Sequence, residues 1–142
     1  MKQTVMAEKV IVSACLMGVP CRWHGKRVSP SKEVKRWMDE HSWVELVPVC
    51  PEQLGGLPTP RPPVKTRKGH VFVTCADKAR RNDVTGPEVT EAFEAGADAT
   101  LKIARENGCD RALMFWCSPS CARGGKTGKK LIADGIDVIP MH

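Results

Sequence analysis

Lys9–Ala14 reads KVIVSA and leads straight into Cys15. Three β-branched side chains in a row followed by small residues are the signature of a short buried strand. Gly18 and Pro20 punctuate the chain just beyond it, so the strand opens into a loop whose first residue is a cysteine. Glu45–Val49 (ELVPV) has the same character and ends at Cys50. Arg111–Trp116 (RALMFW) is a third central strand, followed by Cys117-Ser118-Pro119-Ser120-Cys121.

The segments between these strands predict helices. Ser29-Pro30-Ser31 opens one that runs to about His41, with Ser29 as N-cap, Pro30 at the first helical position and Val34, Trp37 and Met38 as its apolar stripe. A longer helix is predicted from Thr85 or Pro87 to Asn107. Val89, Phe93, Ala97 and Leu101 lie on one face of it, and Gly108 stops it. Lys130–Ala133 predicts a helical turn and Ile136–Ile139 a last strand. Pro51 to Pro63, rich in proline and containing Gly55-Gly56, reads as an irregular, proline-braced loop. His70–Cys75 (HVFVTC) reads as one half of a hairpin with Arg80–Val84. Strands alternating with helices predict an α/β fold with a small, mostly parallel sheet and a hairpin insertion.

The chain has 142 residues, which fits one domain spanning 1–142. With 42% hydrophobic and 27% charged residues it has ordinary globular composition, and no apolar run reaches the length of a membrane span. Met1–Lys9 lacks the apolar stretch of a signal peptide, which predicts a cytoplasmic protein and no membrane partner. The net charge of +6 suits an anionic substrate or RNA as a partner, although charge by itself specifies neither. Tyrosine is absent and phenylalanine scarce, so a base-stacking platform is poorly supported. Trp23, Trp37, Trp43 and Trp116 read as core or edge packing, with Trp116 also a candidate for a pocket wall. Nothing in the chain specifies an oligomeric state.

Seven cysteines in a reducing compartment are thiols available for metal or for packing. Cys15, Cys50 and Cys121 each follow a central strand. In a parallel sheet those carboxyl ends share one edge, where ligands bind. Zinc sites usually show close pairs of the C-x-x-C type, and the chain has none. An iron–sulfur cluster tolerates scattered ligands, because the cluster spans the gap. Three cysteines on a four-iron cluster leave one iron open, and an open iron is a Lewis acid. Cys75 and Cys109 read as packing thiols; Cys21 and Cys117 read either as spare ligands or as structural thiols. Gly125-Lys126-Thr127 invites a phosphate-loop reading, but Ser120 stands where that motif needs its first glycine. Lys126 therefore stays a candidate anchor for a single phosphate, beside Arg22 and Arg61 near the ligand cysteines.

Val12-Ser13-Ala14-Cys15-Leu16-Met17-Gly18 with Cys21-Arg22-Trp23-His24-Gly25 resembles the opening of the thiouracil desulfidase family. Pro48-Val49-Cys50-Pro51-Glu52-Gln53-Leu54-Gly55-Gly56-Leu57-Pro58-Thr59-Pro60-Arg61-Pro62-Pro63 is similar to its most distinctive stretch. Asp83-Val84-Thr85 and Ser118-Pro119-Ser120-Cys121 extend the resemblance to residues 9–121. It implies a Rossmann-like three-layer domain with a 4Fe-4S cluster on Cys15, Cys50 and Cys121. It also implies non-redox removal of sulfur from a thiolated pyrimidine, as base, nucleoside or nucleotide. The catalytic acid/base of the family would fall on Glu52 and its polar helper on Ser118. The chain departs from the family pattern at His24, usually acidic, at Ala122, usually glycine, and in a shorter segment between Cys121 and the final strand. The competing expectation is a zinc- or cluster-stabilised basic module that binds RNA or nucleotide without catalysis.

Overall fold

Val10, Ile11 and Val12 are all fully buried, although alternate side chains of a strand point to opposite faces. Full burial of each such side chain stabilises the fold by roughly 1.5–3 kcal/mol. Strand propensities differ among residues by only about 1 kcal/mol. Cover on both faces, rather than local preference, therefore puts this strand in the middle of the sheet.

The computed structural model describes residues 8–74 and 84–142. In chain order the elements are β1 (Glu8–Ser13), a 3-10 turn (Ala14–Met17), α1 (Lys32–Glu40), β2 (Val44–Val49), α2 (Pro51–Leu54), β3 (Val64–Arg67), β4 (His70–Thr74), β5 (Val84–Glu88), α3 (Thr90–Glu106), β6 (Arg111–Phe115), α4 (Lys126–Ala133) and β7 (Asp137–Met141). A four-stranded parallel sheet has the order β2-β1-β6-β7. On one face Ile11, Ala112, Met114 and Val138 pack with Leu101 and Ala104 of α3 and Leu131 of α4. On the other, Val10, Val12, Leu113 and Met141 pack with Val34, Trp37 and Met38 of α1. Helix, sheet and helix make the three layers expected of a Rossmann-like α/β domain.

A second sheet, antiparallel and ordered β3-β4-β5, is the insertion. It has one strand more than the expected hairpin. β3 and β4 are joined by Lys68 and Gly69, with φ of 51° and 80°. Two consecutive left-handed residues form the tight turn that suits the twist of antiparallel strands. The Lys68-Gly69 pair between TR and HV was the local signal for β3. Arg80–Asp83 and Cys75 lie outside the described residues.

Helix starts differ from the sequence expectation in four places, one of them α4, which begins at Lys126, a turn before the expected Lys130. The cap of α1 is Ser31, not Ser29: the Ser31 hydroxyl accepts the Val34 N–H at 3.1 Å, and the Ser31 N–H is held by the Leu16 carbonyl. Replacing Ser31 with alanine is expected to lower stability by about 1 kcal/mol. The check is a lower urea midpoint with an unchanged denaturant slope. α3 begins at Thr90 because Thr85–Glu88, expected to open the helix, continues the strand from Val84 and pairs with β4, and Pro87 cannot supply the N–H a helix interior needs. Pro51–Leu54, expected to be irregular, is a helical turn with Pro51 at its first position, where a missing N–H costs nothing.

That turn crosses α3 at very close range. A Cβ on Gly55 would lie 1.9 Å from the Ala92 carbonyl oxygen, and one on Gly96 would lie 1.9 Å from the Pro51 carbonyl oxygen. The two glycines face each other, and no side chain fits between the backbones.

Candidate functional site

β1 continues to α1 and β2 on one side, whereas β6 continues to α4 and β7 on the other. Chain connections leaving a neighbouring strand pair in opposite directions open a crevice at their carboxyl ends, the switch point where α/β sheets bind ligands. Here that crevice is a cavity of about 350 Å³. Cys15, Cys50 and Cys121 all line it, joined by Cys21 and Cys117. Three thiols more than thirty residues apart in sequence therefore meet as the strand order requires.

Each ligand candidate is held by its own local device. Cys15 sits in the 3-10 turn closed by Gly18, whose N–H donates to the Cys15 carbonyl at 3.1 Å and whose φ of 90° suits only glycine readily. Cys50 is the residue before α2, and its carbonyl accepts the Leu54 N–H at 2.9 Å. Cys121 is presented by a turn built around Ser118, whose hydroxyl oxygen accepts the N–H groups of Ser120 at 3.2 Å and Cys121 at 3.1 Å. The Ser120 carbonyl then accepts N–H groups from Thr127 and Gly128 in the first turn of α4. A Cβ on Gly128 would lie 1.9 Å from the Ala122 carbonyl oxygen, so turn and helix are also in backbone contact.

The donor set is differentiated electrically. A hydrogen bond from Cys21 and the nearby Arg22 guanidinium bring the Cys15 thiol down to about 6. Cys21 likewise brings Cys50 down to about 7, with help from the Gln53 N–H and the Arg61 charge. Cys21 itself is pushed up, because it serves as the hydrogen-bond donor to both neighbours. Burial pushes Cys121 up to about 12, a cost that a bound cation would offset, because a metal deprotonates its thiol ligand outright. Two thiols poised to ionise near neutrality and a third ready to do so on metal binding form a donor set that fits an iron–sulfur cluster. Among the described residues no group of three or more His, Cys, Asp or Glu side chains is arranged to hold a single metal ion.

A charged pair stands beside the thiols. Glu52, in the first turn of α2, is buried, and its Oε1 accepts from Arg61 Nε at 3.0 Å. Oε2 accepts from the Ser120 hydroxyl at 3.1 Å. Arg61 also donates to the Cys21 carbonyl, the Pro58 carbonyl and the Thr59 hydroxyl. It thereby ties the Cys21 loop to the proline-rich loop and holds the carboxylate between them. Arg22 reaches over Phe115 with its guanidinium carbon 3.9 Å from the ring centroid, and its Nε is buried without a hydrogen-bond partner among the described residues.

Of the residues singled out in the sequence, Cys15, Cys50, Cys121, Glu52, Ser118, Arg22 and Arg61 all line the cavity. Lys126 does not: it opens α4 and pairs with Glu94 of α3 at 3.7 Å. Arg61 lines the cavity but commits its guanidinium to Glu52 and the loops. Cys109 packs in the core as expected. Trp116 is half exposed and absent from the cavity wall, and Trp43 is more exposed still, so neither is core. Trp23 takes the wall position instead. Asp83 lies outside the described residues. Ser120 was not singled out. Its only signal was proximity to Cys121, because a buried serine and an exposed one look the same in sequence.

A sequence model of 2-thiouracil desulfurase matches residues 10–135, a span that contains all three cysteines, Glu52 and both serines. The chain belongs to the 2-thiouracil desulfurase family. It is 33% identical over 132 residues to the uncharacterized protein YbbK of Bacillus subtilis (strain 168), covering 89% of this chain and 85% of YbbK. It is also similar to the solved structure of the [4Fe-4S]-dependent thiouracil desulfidase TudS, with a TM-score of 0.75 and 32% identity over 94% of this chain and 90% of that one. The fold of this desulfurase-family chain is thus the fold of TudS.

Proposed function

We propose that this chain is an iron–sulfur-dependent desulfidase that replaces the sulfur of a thiolated pyrimidine with oxygen and releases it as sulfide. The observation that carries the reading is the convergence of Cys15, Cys50 and Cys121 on one cavity that also holds the buried Glu52 carboxylate. Family membership and the likeness to TudS support it. The balance is that of a hydrolysis: a thiocarbonyl and water give a carbonyl and hydrogen sulfide, and no electron is gained or lost. Held by Cys15, Cys50 and Cys121, a 4Fe-4S cluster with one open iron would supply a soft Lewis acid for the substrate sulfur.

The protein's own part is placement and proton handling. A cavity of this volume lies at the lower end of the range for small-ligand sites, about 300–1,000 Å³. That size favours a small thiolated pyrimidine over a folded RNA. Glu52, fixed by Arg61 and Ser120, is placed to orient the attacking water and take its proton. Arg22 puts positive charge at the wall where anionic sulfur leaves.

The test is to load the protein anaerobically with iron and sulfide, offer 2-thiouracil and 4-thiouridine, and measure sulfide release. Glu52→Gln is expected to keep the visible absorption of the cluster and lose turnover by about 100-fold, the scale of a lost general base. Iron-loaded protein that releases no sulfide from either compound would refute the reading. Full turnover by the Glu52 variant would remove that residue from it.

A further inference from the structure

The geometry points to Ser120 as a positioning residue that acts through Glu52, an inference that rests on the role given to Glu52 above. Ser120 is fully buried, and its hydroxyl touches three groups: Glu52 Oε2 at 3.1 Å, Ser118 Oγ at 3.1 Å and, more distantly, Cys121 Sγ at 3.9 Å. A serine hydroxyl has one hydrogen to give. A carboxylate paired with arginine can only accept, so that hydrogen goes to Glu52. The bond between the two serines must then run from Ser118 to Ser120. A directed chain results, Ser118 to Ser120 to Glu52, and it ends on the oxygen opposite the one Arg61 holds.

This chain also accounts for what Ser118 can do. Its oxygen already accepts two backbone N–H groups of the Cys121 turn. With its hydrogen directed at Ser120, it has nothing left for water or substrate. Ser118 therefore shapes the turn that presents Cys121 and polarises Ser120. Among the described residues the oxygens of Glu52 are each held by one donor, and each retains a lone pair for a water in the cavity. Removing the Ser120 hydroxyl frees the carboxylate to rotate about its remaining anchor at Arg61. In a site where small misplacements are costly, such freedom slows the chemical step more than it weakens binding.

The side chain and backbone of Ser120 have separate duties, which makes the residue testable. Its carbonyl caps α4 and is untouched by substitution. Ser120→Ala in the iron-loaded protein is expected to keep its iron content, lower kcat about tenfold and change KM less than twofold. Ser120→Thr keeps the hydroxyl and is expected to recover most of that loss. In a Glu52→Gln background, Ser120→Ala is expected to add almost nothing, because its effect runs through the carboxylate. The denaturation midpoints of the same four iron-loaded proteins should be non-additive in the same sense, a readout that needs no substrate. Ser118→Ala, by contrast, should lower iron content first. An unchanged kcat in Ser120→Ala beside a slow Glu52→Gln would overturn this inference and leave the proposed function standing. Iron loss in Ser120→Ala equal to that in Ser118→Ala, or additive effects with Glu52→Gln, would overturn it as well. Full activity of Glu52→Gln would overturn both.

Discussion

Cys121→Ser is expected to lose most of its iron and to release sulfide from thiolated pyrimidines only at background rate. Cys121 is the most deeply placed of the three candidate ligands in electrical terms, with its thiol pushed up to about 12 by burial. It is ionised only when a cation is there to hold it. A serine hydroxyl is far harder to deprotonate and is a poor partner for iron in an iron–sulfur cluster. Ser13, Ser118 and Ser120 place hydroxyls beside the Cys121 side chain, so a serine there lies among polar groups and the fold survives. The expected result is therefore selective: far-ultraviolet circular dichroism like that of the parent, iron per chain reduced at least tenfold, and no turnover. Removing even an outer-shell partner of a metal ligand typically costs about 10–100-fold in affinity, so losing a ligand itself should cost no less. Cys109→Ser, a change in the core remote from the cavity, is the control: it should lower stability and leave iron content intact. Full iron retention in Cys121→Ser would exclude Cys121 as a ligand.

The second large effect is expected from Gly96→Ala. In an unobstructed helix the change should stabilise by up to about 1 kcal/mol, because alanine is the better helix former. Here the new methyl carbon would lie 1.9 Å from the Pro51 carbonyl oxygen and 2.8 Å from its carbonyl carbon. Neither is the end of a flexible side chain, so α2 and α3 must separate. Overpacking of this kind costs typically 1–3 kcal/mol, and a collision with backbone belongs at the upper end or beyond. We expect a net loss of about 3 kcal/mol, read as a lower midpoint in urea or heat. α2 follows Cys50 directly and carries Glu52, so the displacement should also reduce iron content and turnover. Gly56→Ala serves as the comparison, since none of the described residues lies within 4 Å of its Cβ position; its cost should be limited to the strain of a φ of 93°. A Gly96→Ala protein as stable as the parent would show that the crossing is looser than described.

Much of this architecture was legible in the chain. KVIVSA, ELVPV and RALMF are short apolar runs bounded by punctuating residues, and all became parallel strands, the first and third buried on both faces and ELVPV an only partly covered strand at the sheet edge. The cysteines after them could be placed on one edge because parallel strands share a direction. Harder to read were the places where local preference and tertiary demand diverge. Ser29 and Ser31 both precede the same helix, and only the Leu16 carbonyl, brought close by folding, selects the second as its cap. Thr85–Glu88 became part of a strand because β4 offered it a partner. Lys126 stood next to two glycines that suggested a phosphate site, yet the packing of α4 on α3 turns it to Glu94.

By itself the sequence determined the class of fold, the position of three thiols at strand ends and the presence of a carboxylate two residues from one of them. These follow from periodicity and spacing, which are properties of the chain alone. Only the tertiary structure decided what surrounds the carboxylate. Arg61 and Ser120 arrive from loops nine and sixty-eight residues away. Their meeting with Glu52 depends on two glycines letting α2 and α3 touch and on a serine turn seating Cys121. Contacts of that kind arise from packing between distant segments, and no local pattern of residues encodes them.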